Sequence, residues 1–403
     1  MPDKIGEITG QSMLSGIFPD LPGKQAPVWT NAKNVIFSDN SVQPIPGQYL
    51  LTSGTTGLPN RGLLSTRISG TPTLFFGDDS KLYKYTISGG VQEVGLSLTG
   101  GGNLLSFVRW GTWVLATNGV DSPKIFKGVS FATLGGLDSS VFSTCEILVA
   151  WRNFVIAMNT DVNDARIAWC DQDDVETWTS STTNAARQRD IRDTVGGITA
   201  GIVYNERIFY LTRGSIGVMD FIGGPDYFSS VPASYDFGAY GKRCVTEADK
   251  KLYGFGPNGV WASDGAIPVY IDEGAVHDAI FADFNQDYAY KCRLWNDTFT
   301  KHLILWLPAD GETENSVAWA FNYKDKNWTK RGDARCDAIA ANEFKWGLIS
   351  DTSGNIYAQS LVDAPVSAQD PVLDLAGVGT YSVPFGQSGF GQVPFGGQGT
   401  FTE

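Results

Sequence analysis

The chain has 403 residues, 47 of them glycine and 12% aromatic, and a formal net charge of −13. It has no run of about 18 apolar residues, so no membrane-crossing helix is expected. An acidic balance also argues against a surface built to grip phosphates. The start of the chain lacks the basic stretch and apolar core of a secretory signal. The five cysteines, Cys145, Cys170, Cys244, Cys292 and Cys336, contain no Cys-x-x-Cys pair. Neither zinc nor a redox motif is therefore expected, and the thiols read as buried and free in a reducing cytoplasm.

Residues 1–30 carry no periodic strand. Next come a strand at 34–37, an Asp39-Asn40 turn and a strand at 42–46, which together predict a hairpin. Seven similar units follow. Their second strands are marked by apolar triplets, glycine-bearing in Leu252-Tyr253-Gly254 and Trp346-Gly347-Leu348, that start at Leu74, Trp113, Phe154, Ile208, Leu252, Leu303 and Trp346, at intervals of 39, 41, 54, 44, 51 and 43 residues. The third strands are closed by Tyr83, Phe126, Trp169, Val218, Trp261, Trp319 and Tyr357, with turns such as Asn118-Gly119 and Pro257-Asn258-Gly259 between strands. Gly and Asn accept the positive φ that tight hairpin turns require.

Four-stranded repeats of roughly 40–50 residues predict an all-β fold, a β-propeller of about seven blade-like units, six to eight given the uncertain ends. A β-sandwich also has short strands and turns, but seven units across some 300 residues are too many for one. The expected organisation is an N-terminal arm with a ring-closing hairpin at 1–50, a propeller at 51–362 and a C-terminal arm at 363–403. The 34–46 hairpin is expected to complete the last blade and so remove a loose edge. Of the two long intervals, one holds a short-helix candidate at 275–284 and the other a polar insertion at 180–197.

The C-terminal arm is of low complexity. Val-Pro-Phe-Gly occurs at 383–386 and again at 393–396, and no residue between Leu375 and Thr402 is charged. Phe385, Phe390, Phe395 and Phe401 are therefore candidate subunit-interface residues, since burying large rings would offset the cost of ordering a Gly-rich backbone. The alternative is a free, disordered tail.

Candidate chemistry is sparse. The two histidines, His277 and His302, have no plausible Ser or Cys partner nearby in sequence, so structural roles are expected. Asp171, Asp173, Asp174 and Glu176 lack the Gly and the terminal Glu of a helix-loop-helix calcium loop. No catalytic residue, cofactor or metal is assigned, and the chain is not expected to be an enzyme. Residues 171–178 instead resemble the Asp box of sialidase-type propellers, in which an Asp holds a turn and a Trp packs between blades. Asp173, Thr177 and Trp178 match that pattern, whereas Asp171 and Val175 replace its Ser and Gly. A sialidase would also need three convergent arginines, and Arg109, Arg152 and Arg207 read as solvated residues beside turns.

The order of several longer segments carries a wider resemblance. Residues 29–35 run Trp-Thr-Asn-Ala-Lys-Asn-Val, and after a turn 44–47 run Pro-Ile-Pro-Gly. Residues 150–157 run Ala-Trp-Arg-Asn-Phe-Val-Ile-Ala, then 166–170 run Arg-Ile-Ala-Trp-Cys before the acidic box. Further on, 220–228 run Asp-Phe-Ile-Gly-Gly-Pro-Asp-Tyr-Phe, followed by Tyr-Gly-Phe-Gly-Pro-Asn-Gly-Val-Trp at 253–261. Over roughly 17–360 the chain resembles the tail nozzle proteins of short-tailed double-stranded-DNA bacteriophages, also called tail hub or packaged-DNA stabilisation proteins.

The resemblance implies a structural virion protein made in the host cytoplasm and assembled as a homo-oligomeric ring, usually of six. Such a ring continues the DNA channel, helps to retain the packaged genome and joins the head-to-tail adaptor to a fibre or needle. DNA would pass without sequence recognition, and no membrane anchor is implied. An acidic wall suits that passage, since like charge keeps DNA from sticking. The alternative from the Asp box is a carbohydrate-directed propeller, either a sialidase-like hydrolase or a glycan-binding protein.

Overall fold

In the computed structural model the described residues are 16–20, 29–38, 41–54, 57–359 apart from five single positions, and the strands Val372–Leu375 and Gly379–Ser382. Seven antiparallel sheets form the blades of a β-propeller. Their first strands are Gly62–Ile68, Ser106–Trp110, Cys145–Trp151, Ala200–Tyr204, Val245–Ala248, Arg293–Asp297 and Asp337–Ala341. Each touches the first strand of the next blade, and the seventh returns to the first. The ring is closed around a central channel.

All seven apolar triplets read from the sequence lie in second strands, and every third-strand residue lies in its predicted strand. Their large side chains pack between blades. Phe75 of blade one meets Phe126 of blade two edge-on, with centroids 4.9 Å apart, and Trp169 of blade three meets Phe228 of blade four at 5.1 Å. Each fully buried ring of this kind stabilises the fold by about 1.5–3 kcal/mol. Two second strands carry a glycine in the triplet. At Gly254 a Cβ would stand 2.2 Å from the ring of Trp261, so only glycine lets that indole lie across the strand.

The ring closes differently from the sequence expectation. The outer strand of blade seven is Gln48–Thr52, paired with Ile356–Gln359 in the order 337–341, 346–350, 356–359, 48–52. The expected boundary at residue 50 therefore cuts through the closing strand. The hairpin forms, as Val35–Ser38 with Ser41–Pro44, but as a separate two-stranded sheet outside the ring. It is anchored on blade six. Asn322 and Asn327 donate side-chain hydrogen bonds to the Phe37 carbonyl at 3.0 and 3.3 Å, and Phe37 is fully buried. The hairpin spends its backbone groups on its own two strands, whereas the extended segment after it reaches the open edge of blade seven and pairs there.

Blade six is also longer than four strands. Trp29–Lys33 joins its outer strand in parallel, and the hairpin Val372–Leu375 and Gly379–Ser382 adds to that in antiparallel fashion. One sheet of seven strands thus collects segments from near both chain ends. Phe385, Phe390, Phe395 and Phe401 lie outside the described residues.

The stretch 180–197 is not merely an insertion, because it supplies the outer strand of blade three, Arg187–Asp190. The helix predicted at 275–284 is present as His277–Ala282, between blades five and six. No helix among the described residues is long and apolar enough to cross a membrane.

Candidate functional site

The seven first strands all begin at one mouth of the channel, and the residues just before or at those starts are unusually charged. Arg61 precedes blade one, Glu146 opens blade three, Lys242 and Arg243 precede blade five, Lys291 and Arg293 stand at blade six, and Asp337 opens blade seven. Closure of the ring brings them together.

Lys242 spans the channel. Its Nζ donates to the carbonyls of Leu104 and Glu146 at 2.6 and 2.9 Å and to the Glu146 carboxylate at 2.8 Å. Burial lowers the lysine's pKa while Glu146 opposes the shift. Arg61 is only 4% exposed and is held between Asp79 and Glu314, at 2.7 and 2.9 Å. Burial opposes its charge, but the bonds to these two carboxylates win and raise its pKa. Lys291 takes the same Glu314 at 2.6 Å. Arg293 pairs with Asp337 at 2.9 Å and donates to the Ala338 carbonyl.

Arg243 is the least satisfied member. Its Nη1 donates to the Cys336 carbonyl at 3.1 Å, but Nη2 is buried without a hydrogen bond, with Asp337 Oδ2 at 3.6 Å. Burial lowers its pKa, Asp337 opposing. Two cavities flank this mesh and share Lys242 and Ile147 in their walls. One, of about 230 Å³, is bordered by Tyr240, Arg213 and Tyr290. The other, of about 190 Å³, is bordered by Arg243, Arg293 and apolar residues of the first strands. This cluster was missed from sequence because its partners are far apart, as with Arg61 and Glu314, 253 positions from each other. The available signal was a charged residue recurring at the start of the first strand.

The acidic box is a structural turn, with one correction. Asp174, not Asp173, holds it: Oδ1 accepts from Glu176 N at 3.0 Å and Oδ2 from Thr177 Oγ1 at 2.8 Å. Asp173 is exposed and occupies the left-handed region, with φ of 61°. The motif alignment placed the capping Asp one residue too early, at the position that makes the turn by its backbone. Trp178 is buried, donates to the Val175 carbonyl at 2.7 Å and meets Phe142 edge-on at 4.9 Å. Thr177 closes the turn from the other end, its carbonyl accepting from Asp171 N at 2.8 Å. Asp171 caps Gln172 and Ala185, and Glu176 pairs with Lys127 at 2.6 Å. These carboxylates point to separate partners, and no group of three potential metal ligands converges among the described residues.

The histidines are placed structurally. His302 is buried, its Nδ1 2.6 Å from the Thr300 carbonyl. His277 pairs through Nδ1 with the buried Asp272 at 3.0 Å and lies against Phe281. Its helix is capped by Asp20 from the N-terminal arm, whose carboxylate accepts from the amides of Asp278 and Ala279. All five cysteines are buried and free, and burial pushes the Cys145 thiol up to about 12. A thiol so far from ionising is a poor nucleophile. The three arginines weighed for a sialidase do not converge: Arg109 donates to Gly111 O, Arg152 lies over Trp151, and Arg207 pairs with Asp220.

No family model matches the chain, and neither does any curated protein. Among solved structures, virginiamycin B lyase from Staphylococcus aureus is similar at a TM-score of 0.51 and 10% identity, over 78% of this chain and 99% of that one. The computationally designed Ika8 protein is similar at 0.43 and 12% identity, over 83% of this chain and 97% of that one. At such identities the likeness concerns the fold alone. Since one of these proteins is a lyase by name, the fold by itself does not exclude catalysis.

Proposed function

We propose that the chain is a non-catalytic structural subunit of a short-tailed phage, the tail nozzle that its sequence resembles. The observation that best supports an assembly role is blade six. Segments from near both chain ends extend it to seven strands, so the ring carries a lateral sheet that a self-contained propeller does not need. Such a sheet offers backbone groups at its outer edge to a neighbour. The channel mouth supports the same reading, because its charged side chains are mostly tied to one another between blades rather than poised around a reacting atom. In this role the subunits form a homo-oligomeric ring below the adaptor, pass DNA without sequence preference and carry the distal tail parts.

Inactivating the gene in its own genome tests the reading. DNA-filled heads lacking the lower tail are expected, and adding purified protein should restore infectivity to them. Complete tails formed without the chain would refute it. Hydrolysis of sialosides or common glycosides by the purified protein would overturn its non-catalytic part.

A further inference from the structure

We infer that the channel cavity beside Arg243 is a binding site for a small organic monocarboxylate, whose head group faces Arg243 and Arg293. This site is independent of any role in a virion. The cavity measures about 190 Å³. Its surface is mainly polar, with Lys242, Arg243, Arg293, Asp337 and Ser106 in the lining. Leu63, Leu105, Phe107 and Leu148, from the first three blades, add a smaller apolar part.

The polar wall is incomplete as it stands. Arg243 is 6% exposed, yet its Nη2 has no hydrogen bond. Asp337 does not supply one, because its Oδ1 is engaged by Arg293 Nε at 2.9 Å and by its neighbour Ala338 N at 2.8 Å, leaving Oδ2 at 3.6 Å from Arg243. The surrounding mesh holds five cations, Arg61, Lys242, Arg243, Lys291 and Arg293, against four carboxylates, Asp79, Glu146, Glu314 and Asp337. One negative charge balances it.

A buried guanidinium donor without an acceptor is costly, and a ligand that brings one removes that cost. The planar fork of arginine matches a carboxylate in shape as well as charge. A phosphate dianion would overshoot the single charge. The volume is below the range of about 300–1,000 Å³ usual for drug-sized ligands, which points to an acid of only a few carbons.

Isothermal titration of the full-length protein with butyrate, inorganic phosphate and chloride provides the test. Saturable one-to-one butyrate binding is expected, with phosphate and chloride much weaker. Arg243→Gln should weaken butyrate by about 10–100-fold, the usual consequence of losing a charged hydrogen bond. Arg243→Lys, which keeps the charge but loses the fork, should recover only part of this. If neither variant folds, wild-type crystals soaked in butyrate decide: density between Arg243 and Phe107 supports the site, and its absence overturns it. A wild-type protein that shows no saturable butyrate binding, or that prefers phosphate, also overturns it.

Discussion

His302 gives the sharpest electrostatic expectation. It opens the second strand of blade six and is buried, with Nδ1 2.6 Å from the Thr300 carbonyl and Nε2 buried without a partner. In the neutral ring Nδ1–H donates to that carbonyl and Nε2 remains a bare acceptor. Protonation would place a second donor where nothing accepts it and leave a charge in a dry core. Burial accordingly lowers the pKa from 6.5 to about 4, against the opposing pull of the Thr300 carbonyl and Asp297. The unfolded chain therefore takes up this proton at higher pH than the folded one. Between the two values the unfolded state binds more protons, so stability rises with pH there. The contribution is fully present above about pH 6.5 and is lost as pH falls toward and through about 4. At about 1.4 kcal/mol per pKa unit, the full loss is about 3 kcal/mol, some 2 of it by about pH 5. The assay is urea unfolding of wild type and His302→Asn at neutral pH and near pH 5. Asparagine can still donate to Thr300 but does not titrate, so the variant should lose about 2 kcal/mol less than wild type on acidification. An imidazole that titrates near its ordinary value in the folded protein, or a variant with an unchanged pH slope, would refute the reasoning.

Three further outcomes follow from the geometry. Deleting residues 1–52 removes the closing strand of blade seven and should give aggregates by size-exclusion chromatography, whereas deleting 1–46 keeps that strand but strips the buried Ile17, Ala32, Val35 and Phe37 from blade six, and should leave a closed ring with a lowered melting temperature. Asp174→Ala should destabilise by about 1–2 kcal/mol in denaturant melts, from two lost capping bonds, while Asp173→Gly should be neutral or slightly stabilising because glycine relaxes the left-handed backbone. Gly254→Ala places a methyl group into the Trp261 ring and should cost about 1–3 kcal/mol, read as a lowered melting temperature with loss of the near-ultraviolet tryptophan signal.

The blades were legible because the code for them is local. An apolar triplet followed by a Gly- or Asn-bearing turn names a second strand wherever it falls, and this held even at Gly254 and Gly347. There the broken apolar pattern reflects a tryptophan from elsewhere: the Cβ that alanine would add at Gly347 meets the Trp295 ring at 2.8 Å. Ring closure was misplaced by a few residues for a related reason. The Asp39-Asn40 turn made the hairpin the stronger local signal, yet a hairpin satisfies itself, and the strand that must find a distant edge has no turn to announce it. Gln48–Thr52 pairs with strand 356–359, some 300 positions away.

The channel mesh shows how nonlocal information can still be periodic. Arg61, Glu146, Arg243, Arg293 and Asp337 look unrelated along the chain, but each stands at or beside the start of a first strand. In a closed ring those starts are the points that converge, so charges there become neighbours whatever their separation. A charged residue within two positions of that start, repeated in five of seven units, is therefore a pattern about the channel and not about any single blade. The imbalance within it is consequential for the same reason: a cation at the convergence point cannot turn outward to bulk solvent, so the unmatched donor of Arg243 is met only by water held in the adjoining cavity or by a ligand.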